Sequence, residues 1–263
     1  MDKGSQLGIV HLFPMLMGTY GDGGNIKVLA YRAKARDIAV DVVTVGPGDQ
    51  VPAGADLYVI GGGEDTGQLV AAEQLRQSTS FTKACDAGAT IFAVCAGLQV
   101  LGHNFDVADG VSADGVGLLD VVTTRRPVRA VGEVLTEAMP GHGMSMLNGY
   151  ENHAGATTLG PEAKPLAKVV SGIGNGAGGA AGDGLEGAVQ GNVLATYMHG
   201  PVLARNPQLA DWLLAKAAGQ ELTSFEMPYT EELQSERLTY IQSGRLSAEA
   251  ATTTKPWRRS PQR

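Results

Sequence analysis

Cysteine is scarce in this chain, with two among 263 residues. So few thiols exclude a disulfide framework, and the pair also excludes a structural zinc site of the CxxC type. The expected setting is a reducing cytoplasm with both thiols free. Positive charge is in deficit too, with Lys+Arg 20 against Asp+Glu 27 and a formal net charge of −7. Non-specific nucleic-acid binding draws its affinity from cations that neutralise phosphates, so this balance argues against it. Long hydrophobic runs are missing. The most apolar stretch, Ala89 to Gly102, contains Gln99 and falls short of the roughly 20 residues that a bilayer-spanning helix needs. The N-terminal segment has no net positive charge ahead of its apolar run, which His11 and Pro14 interrupt, so it reads as a first strand and loop rather than a signal peptide. The sequence also lacks the G-x-x-x-x-G-K-[ST] loop and has no recognisable nucleotide site.

Glycine, by contrast, is in excess: 37 residues, about twice the average share. Many fall between Gly172 and Gly191, where a flexible loop or hairpin is the plain reading. The length suits one large module and is too short for two full catalytic domains. Leu7–Leu12, Val40–Val45, Leu57–Ile60 and Thr90–Val94 are apolar runs. Between them lie the helical stretches Asn25–Arg36, Gly67–Arg76 and Phe81–Ala87. Near-continuous apolar strands alternating with helices predict an α/β fold with an open, mainly parallel central sheet and helices on both faces. After a short helix at Gly97 to about Leu101, the pattern changes to antiparallel strands in the C-terminal half, at Leu118–Thr123, Val131–Leu135 and Met146–Tyr150. Gln190-Gly191-Asn192 predicts a tight hairpin turn. Asn206–Ala218 reads as a helix capped by Asn206 with Pro207 in its first turn, and a further helix is expected from about Thr230 to Ser243. The expected organisation is one domain over 1–248 and a disordered basic tail over 249–263.

The strand Thr90–Val94 ends directly on Cys95, and the small residues Ala96 and Gly97 lead into the next helix. This strand–nucleophile–helix pattern allows a strained turn that exposes the sulfur and aims helix amides at it, which favours the thiolate. Ala93 stands where such turns often have glycine, and a buried structural thiol is the bland alternative. Cys85 lies within a helical stretch and is assigned to packing.

A thiol nucleophile needs a base, and histidine suits neutral pH. His199 follows the strand Val193–Tyr197 and precedes Gly200-Pro201, so it sits in a turn beyond a strand end. His153 competes with it: it also follows a strand and has Glu151 and Asn152 beside it. His11, His103 and His142 are less well placed. Gly61-Gly62-Gly63 ends another apolar strand, where backbone amides can approach a developing oxyanion.

Strand-Gly-Gly-Gly, strand-Cys-Ala-Gly-x-Gln and strand-His-Gly-Pro, in that order, resemble the class I (triad-type) glutamine amidotransferases, in the branch shared with cobyric acid synthase. The resemblance runs from Tyr20-Gly-Asp-Gly-Gly-Asn25 through Ala33–Arg36, Ile60–Asp65, Val94–Gly102, Gly117–Asp120 and Gly149–His153 to Thr196–Pro201. It is strongest with the separate glutaminase subunits that serve a MurT-like Mur-ligase partner in cell-wall synthesis.

The resemblance implies Cys95 as nucleophile and His199 as base, leaving His153 as a structural or pocket-lining residue. It further implies an oxyanion hole from backbone amides of Gly62 and Ala96, a substrate contact from Gln99, and a substrate-carboxylate contact from Arg129. On composition alone, Arg125, Arg126 and Arg129 read as a solvated strand edge. The implied activity is hydrolysis of L-glutamine to glutamate and ammonia. The ammonia passes to a MurT-like ligase subunit that amidates the α-carboxyl of D-glutamate in the lipid II stem peptide. No cofactor is implied for this chain; ATP and Mg are expected on the partner. The implied location is the cytoplasm, at the inner face of the membrane.

In one respect the chain departs from the class. Most triad-type members read His-Pro-Glu, whereas this sequence reads His199-Gly200-Pro201, so the acid that orients the histidine must come from elsewhere in the chain or from the partner. Two other readings stand beside the main one: an amidotransferase for a corrinoid-type substrate, and a non-catalytic relative.

Overall fold

The computed structural model describes residues 6–141, 143–178, 183–223, 225, 227 and 229–242. The expected tail and His142 lie outside them. The chain divides into two units, 1–226 and 227–263, and the expected boundary at 248 lies outside the described residues. The second unit contains one described helix, Thr230–Gln242, in the region expected to be helical.

The first unit begins with strand β1 (Gln6–Leu12), helix α1 (Gly23–Lys34), β2 (Ala39–Val45), β3 (Leu57–Ile60), helices α2 (Asp65–Gln77) and α3 (Thr79–Asp86), then β4 (Thr90–Val94) and α4 (Ala96–Leu101). Every residue of β3 and of β4 is buried, as strands covered on both faces require. β2 is largely exposed and forms an edge of the sheet. The apolar positions Ile26, Leu29 and Ala33 of α1 recur at helical spacing and are buried.

The remaining strands are β5 (Asn104–Asp106), β6 (Ser112–Asp114), β7 (Val121–Ala138), β8 (Met146–Leu159), β9 (Ala167–Ser171), β10 (Leu185–Glu186), β11 (Ala188–Gln190) and β12 (Val193–Thr196), followed by helices α5 (Val202–Arg205) and α6 (Pro207–Ala218). The central sheet runs β11-β12-β4-β3-β1-β2. Its pairs are parallel except β11 with β12, whose ladder closes at Gln190 opposite Val193, so the expected tight hairpin turn is made by Gly191 and Asn192 alone. A second sheet runs β10-β9-β7-β5-β6, with β8 paired to β7.

Two local expectations differ from the structure. The separate short strands expected over 118–150 are parts of one long β7/β8 hairpin whose register shifts between Arg125 and Ala130. Asn206 precedes α6, but its side chain makes no cap. Its amide instead accepts from the backbone N–H of Asn148 at 2.9 Å and donates to the Asn148 carbonyl at 2.8 Å, tying the helix start to β8.

The parallel strands β1, β3, β4 and β12 all point their carboxyl ends the same way, with Ile60, Ala93 and Ala195 in register. Loops leaving those four ends converge, which is where ligands bind in open α/β sheets.

Candidate active site

Cys95 follows β4 at φ 52, ψ −105, a conformation that costs a non-glycine residue free energy and persists only when the surroundings fix it. Two features fix it here. Its N–H donates to the Thr196 carbonyl of β12 at 2.7 Å. On the helix side, a Cβ at Gly97 would lie 2.9 to 3.1 Å from Ile60 and the Gly61 carbonyl, so only glycine lets α4 press this closely onto the end of β3.

His199 follows β12 and is buried. Its Nδ1 lies 3.1 Å from Oδ1 and 3.2 Å from Oδ2 of Asp22, in the loop between β1 and α1. The acid absent beside His199 in sequence is therefore supplied in space by this same chain. Gly24 makes the approach possible, since a Cβ there would lie 2.2 Å from the Pro201 ring. Burial pulls the imidazole toward neutrality, but the hydrogen bond to Asp22 and the interaction with Cys95 outweigh it and hold His199 up at about 10. The second ring nitrogen, Nε2, is buried and among the described residues no atom, the Cys95 sulfur included, meets hydrogen-bond geometry with it. Burial pushes the pKa of His11 below the usual histidine value, although the charge of Asp22 opposes this.

Asp22 also binds the Gly62 amide, which donates to Oδ2 at 2.8 Å. The amide expected in the oxyanion hole is thus engaged in this structure. Ala96, the other expected donor, is the first residue of α4, where an amide has no earlier carbonyl of the helix to bond.

The pocket beside Cys95 has a volume of about 110 Å³ and its lining includes Gln68, Gln99, Tyr20, Glu64, Arg129 and His153. Gln99 is buried and its amide is engaged at both ends: it accepts from Gln68 Nε2 and donates to the Tyr197 hydroxyl at 3.0 Å. That hydroxyl is also 2.7 Å from Thr157 Oγ1. His153 stacks on Tyr197 with ring centroids 3.9 Å apart, and its Nδ1 lies 3.1 Å from the Gly155 carbonyl. It lines the pocket, and its Nε2 lies 3.7 Å from Oε2 of the buried Glu151, so both candidate histidines have a carboxylate nearby; the pair of His199 with Asp22 is the shorter, at 3.1 Å.

Arg129 leaves the irregular part of β7 and is held on Asn152, with Nε donating to Oδ1 at 2.6 Å and Nη2 to the carbonyl at 3.1 Å. Arg125 also lines the pocket. Arg126 is buried and donates to the Gly176 carbonyl. The three arginines are therefore more than a solvated edge. Cys85 is half-buried, and burial, followed by the nearby Asp86, pushes its thiol up to about 11.

Sequence reasoning missed Asp22 and Gln68 as site residues. For Asp22 a signal existed: a single acid between glycines in Tyr20-Gly-Asp-Gly-Gly-Asn25, just beyond the first strand.

A strained cysteine past one strand end and a histidine–aspartate pair from two others gather at the carboxyl edge of the parallel sheet. Residues 8–207 match the CobB/CobQ-like glutamine amidotransferase domain, and the chain belongs to that family and is an amidotransferase enzyme. It is 33% identical over 228 residues to the Staphylococcus aureus protein named lipid II isoglutaminyl synthase (glutamine-hydrolyzing) subunit GatD, covering 84% of this chain and 88% of that one. It is 34% identical over 185 residues to the cobyric acid synthase of Sphingopyxis alaskensis, covering 67% of this chain and 35% of that one. A crystal structure described as a glutamine amidotransferase superposes with a TM-score of 0.53 at 22% identity, covering 80% of this chain and 98% of that one, which shows the shared fold.

Proposed function

We propose that the chain is the glutaminase subunit of a GatD-type complex, with Cys95 as nucleophile and His199, oriented by Asp22, as the acid and base. The observation that carries this reading is the placement of Cys95, His199 and Asp22 past the carboxyl ends of β4, β12 and β1, three of four adjacent parallel strands.

In the proposed reaction the Cys95 thiolate attacks the carboxamide carbon of L-glutamine. The developing oxyanion is met by the Ala96 amide, and by that of Gly62 once it exchanges Asp22 for the substrate oxygen. The C–N bond breaks as imidazolium His199 gives its proton to the departing nitrogen, releasing ammonia and leaving a glutamyl thioester. Neutral His199 then takes a proton from water as the water adds to the thioester. Collapse of that adduct expels the Cys95 thiolate, so glutamine and water become glutamate and ammonia. The elevated pKa of His199 suits this cycle, because it keeps a proton ready for the leaving group. Gln99 and Gln68 shape the amide end of the pocket, and Arg129 holds the substrate carboxylate.

Ammonia then serves a MurT-like ligase subunit that uses ATP and Mg to activate the α-carboxyl of D-glutamate in lipid II, in the cytoplasm at the membrane face. Similarity along nearly the whole length of a GatD supports this acceptor over a corrinoid, since the match covers a third of the cobyric acid synthase. Among the described residues no helix is long and apolar enough to cross a membrane.

The test is reconstitution with the co-expressed ligase subunit on lipid II. Glutamine-dependent amidation should be lost in Cys95→Ser while amidation from added ammonium persists. Glutamine-dependent amidation surviving in that variant would contradict the assignment.

A further inference from the structure

The mouth of the Cys95 pocket carries opposed charges whose partners are unequal. Asp65 is engaged, with Oδ2 accepting from the Ala108 amide at 2.7 Å and lying 3.6 Å from Arg125 Nη1. Asp106 accepts from the Arg125 amide at 3.2 Å. The side chain of Glu64, exposed at the start of α2, has a single hydrogen bond among the described residues, a long one of 3.4 Å from the Tyr20 hydroxyl. That hydroxyl in turn accepts from Arg129 Nη2 at 3.2 Å. One neutral hydroxyl thus stands between a guanidinium and a carboxylate, while the Tyr20 ring lies 4.8 Å from that of His199.

The bridge joins the two poles that an α-amino acid would need. Its carboxylate and ammonium leave the same carbon, so their receptors must be a cation and an anion a few ångströms apart. Arg129 and Glu64 meet that requirement, and Tyr20 occupies the place between them.

We propose that Glu64 receives the α-ammonium group of the glutamine substrate and that the substrate zwitterion displaces the Tyr20 bridge between Glu64 and Arg129. This rests on the glutaminase reading and adds the basis of selectivity: the site takes amides that carry a free α-amine and discriminates against those that lack one. Glu64 acts in binding rather than in bond breaking.

The test pairs a ligand change with a residue change. Full-length Cys95→Ser protein, which binds without turnover, is titrated calorimetrically with L-glutamine and with glutaramate, the same amide and carboxylate without the amine. Glutamine should bind about tenfold more tightly, the scale of a hydrogen bond between charged groups. Adding Glu64→Ala should remove most of that preference by weakening glutamine while leaving glutaramate within about twofold, and Glu64→Gln should fall between the two. Equal weakening of both ligands, or a preference that survives Glu64→Ala, would overturn the role of Glu64 alone. Failure of the Cys95→Ser protein to bind glutamine at all would overturn the glutaminase reading and this inference with it.

Discussion

Asp22 grips His199 from 177 residues away in sequence, with its two carboxylate oxygens 3.1 and 3.2 Å from Nδ1. The histidine is therefore oriented within this chain, and Asp22, together with Cys95, raises its proton affinity against the opposing effect of burial.

Asp22→Asn should keep the fold and lower glutamine turnover by about 10²–10⁴, the range for general acid–base groups. Losing the carboxylate removes a large contribution that holds His199 at about 10, so its pKa should fall. Because departure of ammonia needs imidazolium, the alkaline limb of the activity profile should move to lower pH. The same pair affects stability. A histidine raised in the folded state contributes stabilisation that is complete below its unfolded value and lost as pH rises through about 10, and the variant should show less of this alkaline loss. Rate–pH profiles and melting curves on both proteins check it; an unshifted alkaline limb would contradict the role of Asp22.

Gly62→Ala should abolish turnover with modest loss of stability. A Cβ there would lie 2.7 Å from His199 Cε1 and 3.4 Å from Cys95 Cβ, so the ring must move away from the sulfur. Circular dichroism should remain native while glutaminase activity falls at least about a hundredfold. Full activity would show that the ring has room to spare.

Glu186 is fully buried; Oε1 accepts from Thr196 Oγ1 at 2.8 Å and from the Tyr197 amide at 2.7 Å, just before the turn that carries His199. Burial pushes its carboxyl up to about 7. The folded chain therefore binds more protons than the unfolded chain between its ordinary value of 4.5 and about 7, and stability falls as pH rises through that window. Glu186→Gln keeps the accepting oxygen and should flatten this dependence, with a higher Tm than the parent at pH 8. Parallel Tm–pH curves for the two proteins would contradict it.

Gly155→Ala should damage the pocket from behind. A Cβ there would lie 2.4 Å from Gln99 Nε2 and 2.5 Å from the Tyr197 hydroxyl, forcing apart the pair that fixes the Gln99 amide. The expected result is a raised KM for glutamine with kcat less affected, read by steady-state kinetics.

Much of this architecture was legible in the sequence, because β3 and β4 are largely apolar runs, the cysteine sits directly past β4 and the histidine three residues past the end of β12. The features that were not legible arise from contacts between distant segments. Asp22 reaches His199 only because Gly24 lets α1 close on Pro201. The glycines after β9 looked like plain loop, yet the amides of Ile173 and Gly174 converge on the buried Glu151 carboxylate at 2.8 and 2.9 Å. Turn residues do not show what a loop wraps around. The register shift in β7, which sets the direction of Arg129, likewise depends on pairing with β8.

Cys95, strained at the strand end, is the proposed working thiol, and the half-buried Cys85 the packed one, an assignment open to one direct experiment. It is tested most directly by measuring ammonia released from glutamine by the full chain, with its ligase partner present, for the parent, Cys95→Ser and Cys85→Ser. Complete loss is expected in Cys95→Ser, with turnover within about twofold of the parent in Cys85→Ser, as for substitution of a thiol remote from the chemistry. Retained turnover in Cys95→Ser, or loss only in Cys85→Ser, would contradict it.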